Sequence, residues 1–389
     1  MKRKFKLFKA TIVIVLTLVM LSAYSQNTAG QESSANVITT AVPFLMIGPD
    51  AYAGGMGNTG VATDPTVSSM HWNAAKYAFI DGDFGIGSSY SPWLRKLVRD
   101  MYLAYLTAYK RLDENQVFAF SLRYFNLGSF TYLDEQGNEG WSSNPNEWAF
   151  DAAYARKFSE YLSGAITFRG IYSNLSGGQF VGGVETNPGF SVAADVSLYG
   201  KKDVRFRYTE AIWSYGVVIS NVGSKMGYTE NSDYFLPTNL RFGTALKILI
   251  DDFNSLAFAM DFNKLLVPTP PEYDSEGNIL RGKDPNTSVV GGIFQSFGDA
   301  PGGFSEELKE FQISLGAEYW YDDQFALRIG YFYESEEKGN RNFFTVGAGL
   351  KYQSFGIDFS YLISTVQQHP LENTMRFSLY YNLGQRRRR

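Results

Sequence analysis

Few of the side chains could do polar chemistry. Cysteine is absent, which removes disulfides, iron–sulfur clusters, thiolate zinc sites and cysteine nucleophiles together. His71 and His369 are the two histidines, too few for most imidazole metal sites. A Ser/His/Asp hydrolase would have to assemble around one of them, and no nucleophile motif accompanies either. Gly55, Gly57 and Gly60 match G-x-G-x-x-G. A dinucleotide site needs a strand before that motif, a helix after it and an acidic residue about twenty positions on. Residues 50–54 do not read as a strand, so the glycines are expected to permit close backbone packing. Acidic stretches at 134–139 and 274–278 resemble calcium loops loosely, lack the EF-hand ligand spacing, and read as hairpin turns. Arg386–Arg389 reads as a solvated basic tail. A net charge of −4 leaves no basic patch, so no nucleic-acid partner is expected. No catalytic, cofactor or metal residue is assigned, and the chain is expected not to be an enzyme.

The elements around these residues carry more information. A hydrophobic fraction of 44% is too high for a disordered chain, and 19% charged residues is low for a water-covered surface. No apolar run reaches the ~18 residues of a membrane helix, which leaves a membrane β-barrel open. Residues 1–9 are basic, 10–21 apolar and 22–25 small or polar, the three regions of a secretory signal peptide. The apolar part is too short for a membrane anchor. Residues 1–25 are therefore expected to be removed, with the mature chain starting at Gln26.

From about residue 83 apolar and polar residues alternate, the period of a strand with one greasy face. Phe118, Phe120, Leu122 and Tyr124 oppose Ala119, Ser121 and Arg123; Phe355, Ile357 and Phe359 oppose Gly356, Asp358 and Ser360. The apolar phase is rich in Phe and Tyr, the other in Gly, Ala and Ser with charges of both signs, among them Asp151, Arg169, Asp195, Arg241, Asp261, Glu318, Arg328 and Arg376. A soluble β-sandwich also alternates. This composition fits a lipid-facing exterior and a crowded, partly polar lumen better. The expected strands are 83–90, 101–110, 117–125, 148–156, 162–173, 190–199, 212–220, 239–250, 255–263, 311–320, 325–334, 343–352, 355–363 and 374–382. The fold class is all-β: a transmembrane antiparallel β-barrel of about 14 strands, an even number as bacterial barrels require. Connections alternate short and long, which places both barrel ends in the periplasm and the long loops outside; 200–211 is a longer exception on the periplasmic side. Phe120, Phe242, Phe258 and Phe359 are expected to face lipid, and Arg123, Arg241, Asp261 and Asp358 the lumen.

The domain reading is a signal peptide at 1–25, a plug or hatch at 26–82, a barrel at 83–383 and a basic tail at 384–389. Residues 26–82 do not alternate and are rich in Gly, Ala and Thr. They are too long for a simple leader and are expected to form a periplasmic plug, with a helical turn at 68–76. Residues 288–297 compete for strand status. Accepting them would make the count odd, so they belong inside the outside loop 264–310, as a helix or lip. His369 falls in the last outside loop, and His71 in the plug at the other end.

Residues 43–62, then Asp64, Ser68-Ser69 and Trp72-Asn73-Ala74-Ala75-Lys76, resemble the start of the PorV (LptO) family of the Bacteroidetes type IX secretion system. Residues 292–304, 315–321 and 325–334 resemble it too, and the likeness covers essentially the whole mature chain; Tyr52 and Ala74 stand where many relatives have Arg and Pro. The wider superfamily is similar to FadL fatty-acid channels, fourteen-stranded barrels with an N-terminal hatch. The resemblance implies an integral outer-membrane protein that does no chemistry. Its implied partners are a giant SprA-type translocon barrel, cargo proteins bound through their C-terminal signal domains, a PorU-like sortase attachment complex and outer-membrane lipid. Loops 126–147, 221–238 and 264–310 are expected to carry cargo and translocon contacts. Two other functions stay open: a FadL-like channel for hydrophobic small molecules, and, with less support, an outer-membrane hydrolase.

Overall fold

A computed structural model describes residues 36–94, 98, 100–133, 139–175, 180–181, 184–206, 209–229, 232–365 and 371–384. The expected signal peptide, residues 26–35, the acidic positions 134–138, His369 and Arg386–Arg389 lie outside the described residues.

Fourteen strands close into one antiparallel barrel. They are β1 Phe84–Pro92, β2 Tyr102–Arg111, β3 Gln116–Asn126, β4 Asn146–Lys157, β5 Leu162–Asn174, β6 Gly189–Phe206, β7 Thr209–Gly223, β8 Asn239–Leu249, β9 Asn254–Leu265, β10 Gln312–Tyr321, β11 Phe325–Tyr333, β12 Phe343–Tyr352, β13 Phe355–Ser364 and β14 Met375–Leu383. Each strand pairs with its neighbours in sequence. β1 and β14 close the seam, with Phe84 opposite Leu383 and Tyr90 opposite Phe377. Closure leaves no free edge, which a hydrocarbon surround demands because no water is present to satisfy backbone N–H and C=O groups.

The side chains alternate as the sequence requires. Phe120, Phe242 and Phe258 point outward and exposed, Phe359 outward and half-buried; Arg123, Arg241, Asp261 and Asp358 point inward and buried. Outward aromatics pack across strands: Phe242 stacks on Phe262 at 5.0 Å, and Phe359 meets Phe377 at 5.1 Å with its ring tilted. Such cross-strand pairs help fix register.

One expected connection is corrected. Residues 200–211 are mostly strand: β6 and β7 continue as a paired hairpin from Lys201 opposite Ser214 to Phe206 opposite Thr209. The charged run Lys201-Lys202-Asp203 hides this from an alternation argument. With that change, every connection at one mouth is short. The opposite mouth carries the long loops, several with structure of their own: Phe130–Leu133 pairs with Glu139–Ser143, and Met226–Thr229 with Ser232–Tyr234.

The segment before β1 also needs correction. It does not sit at one mouth but follows the lumen from end to end. Asn36 N–H donates to Glu337 O and Ala41 N–H to Phe235 O, both in long-loop connections. Lower down, Ala51 N–H donates to Ser378 Oγ at 2.9 Å and Gly57 N–H to Thr345 Oγ1 at 2.8 Å. At the short-turn mouth, Ser163 Oγ donates to Ala75 O at 2.7 Å and Arg111 Nε to Gly82 O at 3.2 Å. A short irregular segment has backbone groups that helices and sheets cannot satisfy, and wall side chains supply partners along its whole course. Its local elements are α1 (Ala51–Gly54) and α2 (Ser69–Trp72), with 3-10 turns at Pro43–Met46 and Ala74–Phe79. The Asp50 carboxylate caps α1 through Ala53 N–H and accepts from Trp72 Nε1 at 2.5 Å, tying the two helices together.

Candidate functional site

Two regions can meet other molecules: the lip at the long-loop mouth and a cavity at the short-turn mouth. In the lip, the connection between β9 and β10 forms α3 (Val289–Gln295) and α4 (Phe304–Lys309). Ser288 Oγ accepts from Gly291 N–H and caps α3. The helical spacing of Glu306, Glu307 and Glu310 turns all three carboxylates inward. Glu307 Oε1 accepts from Asp299 and Ala300 N–H at 2.8 and 2.9 Å, and its Oε2 lies 3.1 Å from Lys264 Nζ. Glu310 also binds Lys264, accepts from Thr269 Oγ1 at 2.7 Å and lies 3.1 Å from Lys338 Nζ. Glu306 takes Gly302 N–H at 2.7 Å, Lys338 Nζ at 2.5 Å and Asn36 Nδ2 at 3.0 Å. The network therefore binds the lip to β9, to the 334–342 loop and to the start of the lumen segment.

Burial raises Asp299, and the neighbouring Glu307 and Glu310 add to the rise despite the opposing bond from Thr269 N–H. Glu306 goes the other way: burial pushes it up, but Lys338, Gly302 N–H and Asn36 together hold it below the usual glutamate range. With its polar groups turned inward, the lip shows its apolar ones to the outside. Val290, Phe294 and Phe297, and Phe304 and Leu308, are all more than half exposed, with Phe294 at 75% and Phe304 at 78%. Val290 with Phe294, and Phe304 with Leu308, are i,i+4 pairs on one helix face. Exposed apolar faces on a braced scaffold mark sites of interaction.

In the lumen several charged side chains are paired or hydrogen-bonded, while Arg376 Nε and Arg241 Nη1 are buried without a hydrogen-bond partner. Arg169 lies 2.5 Å from Asp151 and 3.1 Å from Asp195; Arg328 lies 2.6 Å from both Glu318 and Asp358. Asp261 Oδ2 accepts from Gly60 and Val61 N–H at 2.6 and 2.9 Å. Arg123 donates to Leu45 O at 3.0 Å and to His71 Nδ1 at 2.7 Å. His71 thus sits in the lumen wall contacts, and neither ring nitrogen meets a serine or a carboxylate. The glycine motif packs against the wall. A Cβ on Gly330 would lie 2.0 Å from Gly57 N, and one on Gly347 2.9 Å from Gly55 Cα. Asp274 spends its carboxylate on its own turn, accepting from Glu276 and Asn278 N–H at 2.9 and 2.8 Å. Among the described residues no group of three or more His, Cys, Asp or Glu could hold a metal ion.

Sequence reasoning named the loop 264–310 but missed the network inside it. The signal was there: Glu306, Glu307 and Glu310 fall on one side of a helical turn whose other side is Phe304 and Leu308.

A closed barrel with an aromatic outer face, and its lumen filled by its own N-terminal segment, is a transmembrane β-barrel of the outer-membrane type. Residues 29–272, more than half of the chain, match the family described as "Type IX secretion system protein PorV", and the chain belongs to that family. It is thus an outer-membrane component of the type IX secretion system. Solved structures with a similar fold include a Pseudomonas aeruginosa FadL homologue (10% identity, 90% of this chain and 99% of that one, TM-score 0.44). The Ralstonia pickettii toluene transporter TbuX is another (12% identity, 86% and 98%, TM-score 0.48). A comparison with curated proteins gave no match.

Proposed function

We propose that this protein receives the C-terminal signal domains of secreted cargo at a giant SprA-type translocon barrel and carries that cargo to a PorU-like sortase complex at the cell surface. The long-loop mouth faces outward from the cell in this reading. Family membership supplies the pathway, and one observation carries the assignment of the contact surface: the exposed apolar faces of α3 and α4 on their buried ionic support. A partner that covered Phe294 and Phe304 would bury large aromatic surface, the usual source of interface hot spots. The loops 126–147 and 221–238 border the same mouth and complete the proposed surface. The barrel itself performs no chemistry in this scheme.

The channel for hydrophobic small molecules has less support. The lumen segment is bonded to the wall along its length, and the cavity that remains is lined by charge. Affinity purification from outer membranes in mild detergent tests the proposal. A very large barrel protein and secreted proteins sharing a C-terminal domain are expected to co-purify. The double variant Phe294→Ser/Phe304→Ser should fold, as judged by its heat-modifiable gel mobility, yet lose them at least tenfold, the effect of ~1.4 kcal/mol or more. Undiminished recovery with the double variant would remove the lip from the contact surface. Recovery of the barrel alone, with hydrocarbon in its lumen, would favour the channel.

A further inference from the structure

At the short-turn mouth the outer wall of the barrel differs from one side to the other. β2, β4 and β6 each carry an exposed, outward-facing cation near that end. Lys110 lies opposite Phe118, Arg156 opposite Gln116 and Lys202 opposite Trp213. The strands set the height of these cations. At the long-loop end, the outward rings of Tyr102, Tyr124 and Trp148 meet in sequence, with centroids 5.9 and 4.3 Å apart. Lys110 is eight residues from Tyr102 along β2, and Arg156 eight from Trp148 along β4. Eight residues of strand cover about 27 Å, or roughly 20 Å of height at a tilt near 40°, close to the ~25 Å apolar band of an outer-membrane barrel. The outward residues between are Ala104, Leu106 and Ala108 on β2, and Phe150, Ala152 and Tyr154 on β4. The cations therefore stand at the far boundary of the apolar band, where lipid headgroups begin.

None of the three has a salt-bridge or hydrogen-bond partner for its side chain among the described residues. The other charges on this side are turned elsewhere. Arg111 donates to Gly82 O and Glu114 O, and Lys157 and Lys201 lie over the Phe79 ring at 5.0 and 4.9 Å. Arg205 pairs with Glu210 at 2.9 Å, and Asp113 accepts from Asn115 N–H at 2.8 Å within its own turn. Glu114 and Glu160 sit in the turns beyond the strand ends, and Asp203 is in the lumen-facing phase. The opposite side of the mouth lacks outward cations. Its outward residues there are Ile248, Tyr321, Phe325, Tyr352 and Phe355, and its turns hold the exposed Asp251, Asp252, Asp322 and Asp323. Lys351 on that side faces the lumen. An anion at the membrane boundary is thus attracted on one side and repelled on the other. We propose that the β2–β6 side of the short-turn mouth binds the headgroups of anionic phospholipid through Lys110, Arg156 and Lys202. Strands two places apart are ~10 Å apart, so two long side chains that snorkel along the wall reach one headgroup. A guanidinium takes phosphate oxygens in pairs, an ammonium acts as a point charge, and the flanking Phe118 and Trp213 seat the acyl boundary.

The test titrates the full chain, in neutral detergent, with phosphatidylglycerol or with phosphatidylcholine of the same acyl chains. Bound lipid is counted by native mass spectrometry. Half-occupancy by phosphatidylglycerol is expected at a concentration roughly tenfold or more below that for phosphatidylcholine. In Lys110→Gln/Arg156→Gln/Lys202→Gln the two lipids should bind alike, with the heat-modifiable gel mobility of the barrel unchanged. Lys110→Arg/Lys202→Arg should keep the preference, because the charge is kept. Arg281→Gln/Lys283→Gln, which removes exposed charge from the long-loop mouth, should keep it too. Inorganic phosphate in large excess should leave the lipid bound. Equal binding of the two lipids by the unmodified chain would overturn the proposal, as would a preference that survives the triple glutamine variant. Loss of the preference in the Arg281/Lys283 variant would reduce it to an effect of net charge. Displacement by inorganic phosphate would make the site one for the free anion and not for lipid. None of these outcomes depends on whether cargo binds the lip.

Discussion

At Gly330 a single hydrogen atom decides whether the lumen segment can lie on the wall. A Cβ there would fall 2.0 Å from the Gly57 nitrogen, and Gly57 itself has φ +68°. Gly330→Val is expected to lift residues 54–60 off β11 and lower stability by about 1–3 kcal/mol, the usual cost of overpacking. Limited proteolysis should then cut the 36–82 segment faster while the barrel strands stay resistant. Asp299 gives a second residue-scale test. Its folded-state pKa is raised, so the fold favours its neutral form; that stabilisation is present at acid pH and lost as pH rises through the folded pKa. Glu306 is depressed, so its contribution is present above the usual glutamate value of 4.5 and lost as pH falls below it. Asp299→Asn should therefore increase hydrogen-exchange protection of residues 299–310 at pH 7 and leave it little changed near pH 4. A loss of protection at pH 7 would show that the carboxylate is needed in its charged form.

The lip is an element whose stability is local. Its anchors are ion pairs and backbone caps, whereas the barrel rests on a closed ladder that does not pass through it. Lys264→Met would leave Glu307 buried without its cation and Glu310 with Lys338 alone. Removing one partner of a buried pair costs about 3–5 kcal/mol. Exchange protection is expected to collapse across 299–310 while β9 and β10 keep theirs, and co-purification of cargo should fall with it. A parallel loss in β9 would mean that the network supports the wall as well. This arrangement was half legible in the sequence. That residues 288–297 stay out of the barrel wall and belong to the long loop, as a helix or lip, follows from strand parity; that they are a helix is decided by the structure. That Lys264 reaches Glu307 and Glu310, some forty positions away, does not follow from the sequence, because nothing local distinguishes a lysine at a strand end that pairs from one that is solvated.

Across the whole molecule, the N-terminal segment runs through the lumen and is bonded to its wall. Asp261 holds Gly60 and Val61 from β9, Thr345 holds Gly57 from β12, and Ser378 holds Ala51 from β14. In planar bilayers the protein is expected to show no steady porin-like conductance. Asp261→Ala, which frees two backbone N–H groups at a cost of about 1–3 kcal/mol each, should introduce frequent brief openings. Steady conductance by the unmodified protein would show that the segment leaves the lumen readily.

The sequence by itself determined the barrel. Fourteen alternating segments, their even count and the short–long rhythm of their connections follow from a strand's period of two and from the need to satisfy every backbone group inside lipid. It also determined which phase faces lipid, because Phe120, Phe242 and Phe258 cannot share a face with Arg123, Arg241 and Asp261. The hairpin between β6 and β7 escaped because charge had replaced alternation where the strands leave the bilayer. Only the tertiary structure decided the path of residues 36–82 through the lumen, the grip of the wall on them and the ionic support of the lip. Those depend on contacts such as Asp261 with Gly60 and Lys264 with Glu310, which join residues far apart in the chain. No periodicity records such pairs, since a buried side chain's partner is set by where the closed wall brings it and not by its neighbours in sequence.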